Sequence, residues 1–549
     1  MEEQAHIPTR RRLLRDIRVY AVASSAFLGL ILDGYDTGIA GGVVSNAWFQ
    51  TQFGLNTANA NDLSSNVVSV LQAGCFFGSL ISGFTAGWVG RKWTLVGSSV
   101  IFIVGAILAT VAKDQYTRGL SYIYAGRVIC GLGVGAMSSI GPLYAAEISP
   151  REIRGRVVGL FMVNVATGVL LSYWVNYGVA IHSPPNSAAI WQIPFGVQIL
   201  PAGLMFITLL FCKESPRFLA LKGRTQEAID VLCWYRRASP YDEEVKGEIA
   251  EIEATILEER EARSGLTMRE AIFGKGNWPR FLITFLIMLF QQFSGQNLVN
   301  YYGPQLFKAI GYVGQTPALL ATGVYGVVKL VASFIFVWWV VDKFGRRWSL
   351  FCSALGMGIC FIIVGALYLT HPPDPNGTTP SPASRAMAGF IYLYCFSYAM
   401  GTGALPFVYC SEIFSNRVRH LGLGWAGMNQ WIWNFTISRT ALNIETGLGG
   451  KTFICFGIIN IFGLAVLAYF LPETKGRTLE EMDVIFGSIK AEERNADIQR
   501  AEIEIAADMK ATDIEMAHKE HKAGFAPTQG SAAPAIEAPK EDTAYIEKS

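Results

Sequence analysis

The chain has 549 residues, 51% of them hydrophobic and only 16% charged, with a formal net charge of +2. Soluble domains carry about 25% charged residues, so this composition, with a mean hydropathy of +0.32, argues against an ordinary soluble protein. That net charge says little by itself, and nothing in the sequence resembles a nucleic-acid-binding surface. The 56 glycines suit helices packed closely in a membrane.

Crossing about 30 Å of hydrocarbon takes about 20 apolar residues. Arg10, Arg11, Arg12 and Arg15 precede an apolar run far longer than the core of a secretion signal, so that run is expected to remain as the first span. Runs suited to spanning lie near 19–44, 64–88, 94–112, 120–145, 157–180 and 190–212. A polar stretch follows over 213–278, and then runs near 280–302, 317–341, 348–370, 386–410, 421–443 and 452–471. The reading is therefore an all-α membrane protein of twelve spans in two six-helix bundles, 19–212 and 279–471. Residues 1–18 form an N-terminal segment, 213–278 a helical loop and 472–549 a tail expected to be disordered towards its end.

Orientation follows from the positive residues in short loops. Arg91, Lys92, Arg151, Arg154, Arg156, Arg346, Arg347, Arg417 and Arg419 fall on one side if the spans alternate, as do the N-terminal arginines and the 213–278 stretch. Both termini are thus expected in the cytoplasm. That topology places the sequon at Asn376 outside, as a glycosylation site. Ile249, Ile252, Ile256 and Leu257 recur at helical spacing in the central stretch.

The halves repeat at an offset of about 260 residues: Gly90-Arg91-Lys92 answers Gly345-Arg346-Arg347, Glu147 answers Glu412, and Glu214 answers Glu473. Two parallel six-span halves with a solute site at the midplane between them form a known carrier architecture.

The motifs then carry a resemblance. Gly34-Tyr35-Asp36-Thr37-Gly38, the paired Gly-Arg-Lys/Arg loops, Arg127 with Gly131, Gly133 and Gly135, Glu147 with Arg154-Gly155, Glu214 to Arg217, Gln291 to Asn297, and Pro472 to Arg477 occur in order. Over roughly residues 18–487 the chain resembles the sugar porter family of the major facilitator superfamily. Trp191 to Phe195, Gly326 to Lys329 and Trp433 to Arg439 are similar to stretches of fungal quinate permease-like members. That subgroup includes carriers of neutral sugars and of sugar acids. The resemblance implies proton-coupled symport of a small polyhydroxylated solute across the plasma membrane by a carrier that works as a monomer in the bilayer. A facilitative uniporter and a non-transporting nutrient sensor are the alternatives.

A charge at the bilayer centre costs about 2.5–3.5 kcal/mol on insertion scales, so Asp36 needs a partner, which the resemblance makes Arg127. The acid either takes up the coupling proton or forms a structural ion pair. Asp33, one turn earlier, is unusual for the family; it is a second titrating group or a neighbour of a watery cavity. Gln291, Gln292 and Asn297 match positions that bind sugar hydroxyls, although polar residues in spans also serve as glue between helices. On one straight helix Gln292 and Asn297 would point about 140° apart; a break at Gly295 would bring them together. Tyr301, Tyr302, Phe407 and Trp431 could wall the cavity or simply pack, and Gly401, Gly403 and Pro406 suggest a hinge.

Met162 stands where the family often has Gln, so a hydroxyl contact is lost or Asn164 supplies it. Gly87 replaces an acid of the first loop motif, while Asp342 is kept in the second. Lys329 and Arg439 lie in apolar spans, where a cation could bind a substrate carboxylate; otherwise Lys329 pairs with a protein acid or snorkels, and Arg439, near the outer end of its span, snorkels. Glu147, Arg154, Glu214, Arg217, Glu412, Arg419, Glu473 and Arg477 are either a gating network between the halves or solvated loop charges. No metal-ligand spacing, phosphate loop or nucleophile–base constellation occurs, so no metal, cofactor or enzymatic activity is expected.

Overall fold

The computed structural model describes residues 16–55, 59–114, 118–263, 265, 267–340, 343–374, 379–415, 417–477 and 479–487. The regular structure among them is helical, and ten segments are long and apolar enough to cross a membrane. They are α1 (Ile17–Val44), α2 (Ala60–Trp88), α3 (Arg91–Thr110), α4 (Gly119–Ile148), α5 (Arg151–His182) and α6 (Ala189–Phe211), then α7 (Trp278–Ala309), α8 (Gln315–Val340), α9 (Arg346–Thr370) and α12 (Lys451–Phe470). Two further helices complete twelve spans. α10 is broken into Pro382–Ala399 and Leu405–Ile413, and α11 (Arg419–Leu448) is diluted by Asn429, Gln430, Asn434 and Arg439.

Small residues set the packing. In lipid the hydrophobic effect cannot draw one helix to another, so close backbone approach has to do so. A Cβ on Gly131 of α4 would fall 2.2 Å from the Leu71 carbonyl oxygen of α2, and one on Gly135 would fall 2.2 Å from that of Cys75. The same crowding joins α1 to α5, where a Cβ on Gly34 would lie 2.0 Å from the Val165 carbonyl oxygen.

At the basic end the two halves repeat one motif. Gly90 and Gly345, with φ of +108° and +76°, lead into α3 and α9, a backbone shape that glycine adopts without steric cost. The N–H groups that each helix start leaves unpaired meet a carboxylate. Glu214 accepts from the backbone of Arg91 at 3.0 Å and Lys92 at 3.1 Å. Glu473 accepts from Arg346 at 2.8 Å and Arg347 at 3.2 Å. Arg91 then pairs with Glu147 at 2.8 Å and Arg346 with Glu412 at 3.0 Å. The hydroxyls of Ser215 and Thr474 donate to the second oxygens of those glutamates, each at 2.5 Å.

Between α6 and α7 run the helices Pro216–Leu221, Thr225–Arg236, Glu243–Arg263 and Met268–Phe273. Arg236 fastens them to the bundle, pairing with Glu248 at 2.6 Å and donating to the Ile148 carbonyl at the end of α4 at 3.0 Å. After α12 the helix Leu479–Ile485 is held by Arg280, which pairs with Asp483 at 2.6 Å and lies over the Phe486 ring.

At the opposite end the two halves touch. Arg439 of α11 pairs with Asp62 of α2 at 2.9 Å, and Asn443 donates to the same oxygen at 3.0 Å. Lys308 of α7 donates to the Ser45 carbonyl at the end of α1 at 3.1 Å. Deeper in, a Cβ on Gly41 would lie 1.9 Å from the Tyr301 carbonyl oxygen, so α1 lies directly on α7.

Gly41→Leu therefore cannot keep this end shut. In a cysteine-free background a thiol introduced by Asn61→Cys should react faster with a membrane-impermeant maleimide when Gly41→Leu is added. Equal labelling rates would contradict the close approach of α1 and α7.

Candidate functional site

Both spans that line the middle of the second half are interrupted where the sequence supplies glycine. α7 stops at Gln292 and restarts at Gln296, with Gly295 at φ +94°. α10 stops at Ala399 and restarts at Leu405 across Gly401-Thr402-Gly403. Backbone groups freed at membrane depth need partners inside the protein. The Gln291 amide provides them, donating to the Thr402 carbonyl at 3.0 Å and the Gly403 carbonyl at 3.4 Å.

The break turns Asn297 towards Gln292: the Asn297 amide donates to Gln292 Oε1 at 2.6 Å. Gln292 in turn donates to Gln430 Oε1 of α11 at 2.5 Å. These side chains face a cavity of about 1100 Å³ between the halves. Gln291, Gln292, Asn297, Lys329 and Trp431 all line it, together with Asp33, Asn300, Tyr301, Phe407 and Gln430. From there it runs to the basic end, where Phe84 of α2, Leu143 of α4 and His420 of α11 border it. The end sealed by Asp62 and Arg439 contributes nothing to its lining.

Asp36 and Arg127 lie beside the cavity, out of its lining, and both are almost fully buried. Arg127 Nη1 meets Asp36 Oδ1 at 2.9 Å, and its Nε donates to the Val67 carbonyl at 3.0 Å. The second carboxylate oxygen, Asp36 Oδ2, is buried with no hydrogen-bond partner among the described residues. Buried polar atoms are nearly always partnered, so this oxygen is a vacant acceptor held in place.

Position separates several of the expected residues. Arg439 turns to Asp62 and away from the cavity, so it neither faces a solute carboxylate nor snorkels, and its partner is an acid that the sequence reading did not name. Lys329 faces the cavity and donates to Asn300 Oδ1 at 3.2 Å. Met162 lines the cavity, whereas Asn164 donates to the Leu160 carbonyl of its own helix at 2.8 Å and does not stand in for the missing amide. Two residues apart on a helix means about 200° of rotation, which puts them on opposite faces. Tyr301 reaches the cavity and donates to Asn434 at 3.1 Å, while Tyr302 is buried behind it and donates to the Ser438 carbonyl at 2.6 Å. Asn376 and Asp342 lie outside the described residues.

Of the eight charges at the basic end, Glu147, Glu214, Glu412 and Glu473 sit in the paired motif described above, each bonded within its own half. Arg217 pairs with Glu259. Arg154 donates to the Ser149 carbonyl at 3.3 Å, Arg419 is half-buried at the start of α11, and Arg477 is exposed. Sequence reasoning missed Gln430 and Asn300. The only signal for either is a polar residue inside an apolar run, beside Trp431 and beside Tyr301.

The two N-terminal carboxylates differ electrostatically. Burial pushes the Glu214 carboxyl above its ordinary value, against the N–H groups of Ser215, Lys92 and Arg91, and leaves its Oε2 unpartnered among the described residues. At Glu473 burial is outweighed by the N–H groups of Lys475, Arg346, Arg347 and Thr474, and its carboxyl is held below its ordinary value.

These features define a class: a multi-pass membrane transporter of two repeated halves around a shared cavity into which a few polar side chains project. The profile of the family described as "Sugar (and other) transporter" matches residues 22–486, and the chain belongs to that family. The quinate permease of Neurospora africana is 36% identical over 490 residues, covering 85% of this chain and 89% of its own. The quinate permease of Emericella nidulans is 37% identical over 485 residues, covering 87% and 90%. Among solved structures, the proton:xylose symporter XylE bound to 6-bromo-6-deoxy-D-glucose superposes with a TM-score of 0.71 at 28% identity, covering 86% of this chain and 99% of that one. A partially occluded, inward-open form of the xylose transporter XylE from E. coli gives 0.70 at 26% identity, covering 84% and 100%.

A group whose folded-state value is depressed stabilises the protein at pH above its ordinary value and loses that contribution as pH falls. Glu473 is such a group, whereas the fold at Glu214 favours the neutral form. Glu473→Gln should therefore lower the thermal unfolding midpoint in detergent at neutral pH more than Glu214→Gln does. An equal or reversed order would contradict the assignment.

Proposed function

We propose that the chain is a proton symporter for a small polyhydroxylated solute, a monosaccharide or a quinate-like sugar acid, working in the plasma membrane by alternating access. The observation that carries this reading is Asp36. It is a fully buried carboxylate with one oxygen on Arg127 and the other vacant. Ionised, it is stabilised by the guanidinium; protonated, it loses that attraction and frees α1 from α4. Because α1 also closes on α7 at Gly41, a proton on Asp36 is communicated to the helix that carries Gln291, Gln292 and Asn297.

The amides of Gln291, Gln292, Asn297 and Gln430 offer donors and acceptors to solute hydroxyls, with Trp431 and Phe407 as apolar walls. The relatives named quinate permease and the proton:xylose symporter bracket the solute class. The excess of Lys and Arg in the loops at the open end supports a cytoplasmic placement of that end and of both termini, with Asn376 outside. The arrangement described here is then inward-facing, with Asp62–Arg439 and Lys308–Ser45 as the closed outer gate. The charges at the basic end regroup across the halves when the carrier turns outward. No enzymatic step is assigned.

Asp36→Asn fixes the neutral form. It should abolish uphill accumulation of a neutral solute such as xylose while preserving exchange of internal for external solute, both read with labelled solute in a transporter-deficient yeast. Accumulation against a gradient in this variant would remove Asp36 from the coupling step.

A further inference from the structure

Two opposite charges inside the cavity take no part in that mechanism. Asp33 lies one helical turn before Asp36 and lines the cavity. Among the described residues its carboxylate forms no hydrogen bond and no contact ion pair; only its backbone carbonyl is engaged, by Thr37. Lys329 of α8 lines the same cavity. Its ammonium donates to Asn300 Oδ1 at 3.2 Å, a neutral oxygen that is already crowded. Gln296 Nε2 donates to the same atom at 3.0 Å and the Tyr325 hydroxyl at 3.1 Å. Three donors on an oxygen with two lone pairs leave one donor in surplus. The surplus falls to Lys329, the longest and most mobile of the three and the one facing open cavity.

An ammonium with spare donors facing a solute cavity calls for an anionic acceptor, and a carboxylate gives the strongest such bond. Asp33 sits near enough to interact with Lys329 electrostatically, yet among the described residues the two make no contact pair. Both line the cavity that a solute would enter. The charge sum fixes what must accompany an anion. Asp33 and Lys329 together are neutral; a solute carboxylate arriving at Lys329 adds a negative charge in a site of low dielectric, beside an ionised Asp33. A proton on Asp33 restores neutrality and turns a repelling acceptor into a donor for a solute hydroxyl.

We propose that Asp33 and Lys329 form a charge-selective seat for a polyhydroxylated monocarboxylic acid, in which the solute carboxylate binds Lys329 and a proton accompanies it onto Asp33. This rests on the transporter reading above and narrows its solute class. No bond to carbon is made or broken: the proton comes from the aqueous phase that delivers the acid and leaves with it. The other groups facing Asp33 are Asp36 on its own helix, paired with Arg127 of α4, Cys75 of α2 and Tyr301 of α7. None of them offers Asp33 a positive charge, so Lys329 is the cation that the solute and Asp33 share.

The test is equilibrium binding of labelled quinate to the purified full-length protein at about pH 5 and about pH 7.5, competed by unlabelled quinate and by its neutral methyl ester. The protein should bind quinate at least about tenfold more tightly than the ester at the lower pH and lose about tenfold or more at the higher. Lys329→Gln should bring quinate and ester to near equality, and Lys329→Arg should keep the preference. Asp33→Asn should keep the preference and lose the weakening at higher pH; Asp33→Glu should retain both. The proposal is overturned if Lys329→Gln still prefers the acid, or if Asp33→Asn weakens with pH as the parent does. It is equally overturned if the parent ignores quinate and accumulates glucose or xylose in cells, which leaves the transporter reading intact. Loss of uncoupler-sensitive uptake for every one of these solutes would instead defeat that underlying reading.

Discussion

A carboxylate held inside an apolar helix bundle is the constraint on which the rest of this molecule turns. Asp36 is stable there because Arg127 reaches it from α4, and Arg127 is itself anchored on the Val67 carbonyl of α2. That single contact fixes the mutual position of α1, α2 and α4. The glycines then follow as consequences, since a guanidinium can bridge three helices only if their backbones lie close. Removing one member of such a buried pair costs about 3–5 kcal/mol. That magnitude suits a carrier, because protonation removes part of the same attraction reversibly.

The second half solves a different problem with uncharged groups. A sugar-like solute needs a dense array of hydroxyl partners at membrane depth, and an unbroken helix cannot aim enough of them at one point. Breaking α7 at Gly295 and α10 at Gly401–Gly403 creates the array, and Gln291 satisfies the carbonyls that the second break exposes. The groups proposed to bind solute are thus tied to the groups that stabilise the break. A solute that draws on Gln291 also acts on α10. With the far end clamped by Asp62, Arg439 and Lys308, the cavity runs among the described residues towards the basic end.

How far the sequence revealed this depends on the range of each interaction. The spans were legible because lipid imposes length and apolarity locally, and α10 and α11 could be found despite their breaks and polar residues. The repeat of Gly90, Glu147 and Glu214 with Gly345, Glu412 and Glu473 foretold one motif built twice, which the structure shows down to the serine and threonine hydroxyls. The break at Gly295 was foreseeable from helix geometry, since Gln292 and Asn297 could not otherwise face together. What the sequence withheld is which distant residue completes each contact. Nothing local to Arg439 points to Asp62, 377 residues away. Nothing local to Gln430 tells of Gln292, or to Asn300 of three donors. Asn164 was offered in place of a missing amide because it is near in sequence, and helical rotation puts it on the wrong face.

In the proposed mechanism solute and proton move together. The most direct measurement follows the pH of a weakly buffered medium around proteoliposomes holding the purified protein when solute is added without any imposed gradient. Entry of solute should make the medium more alkaline, in step with uptake, and an uncoupler should erase the signal. Uptake to equilibrium with no change in pH would make the chain a facilitator and the Asp36–Arg127 pair a structural one.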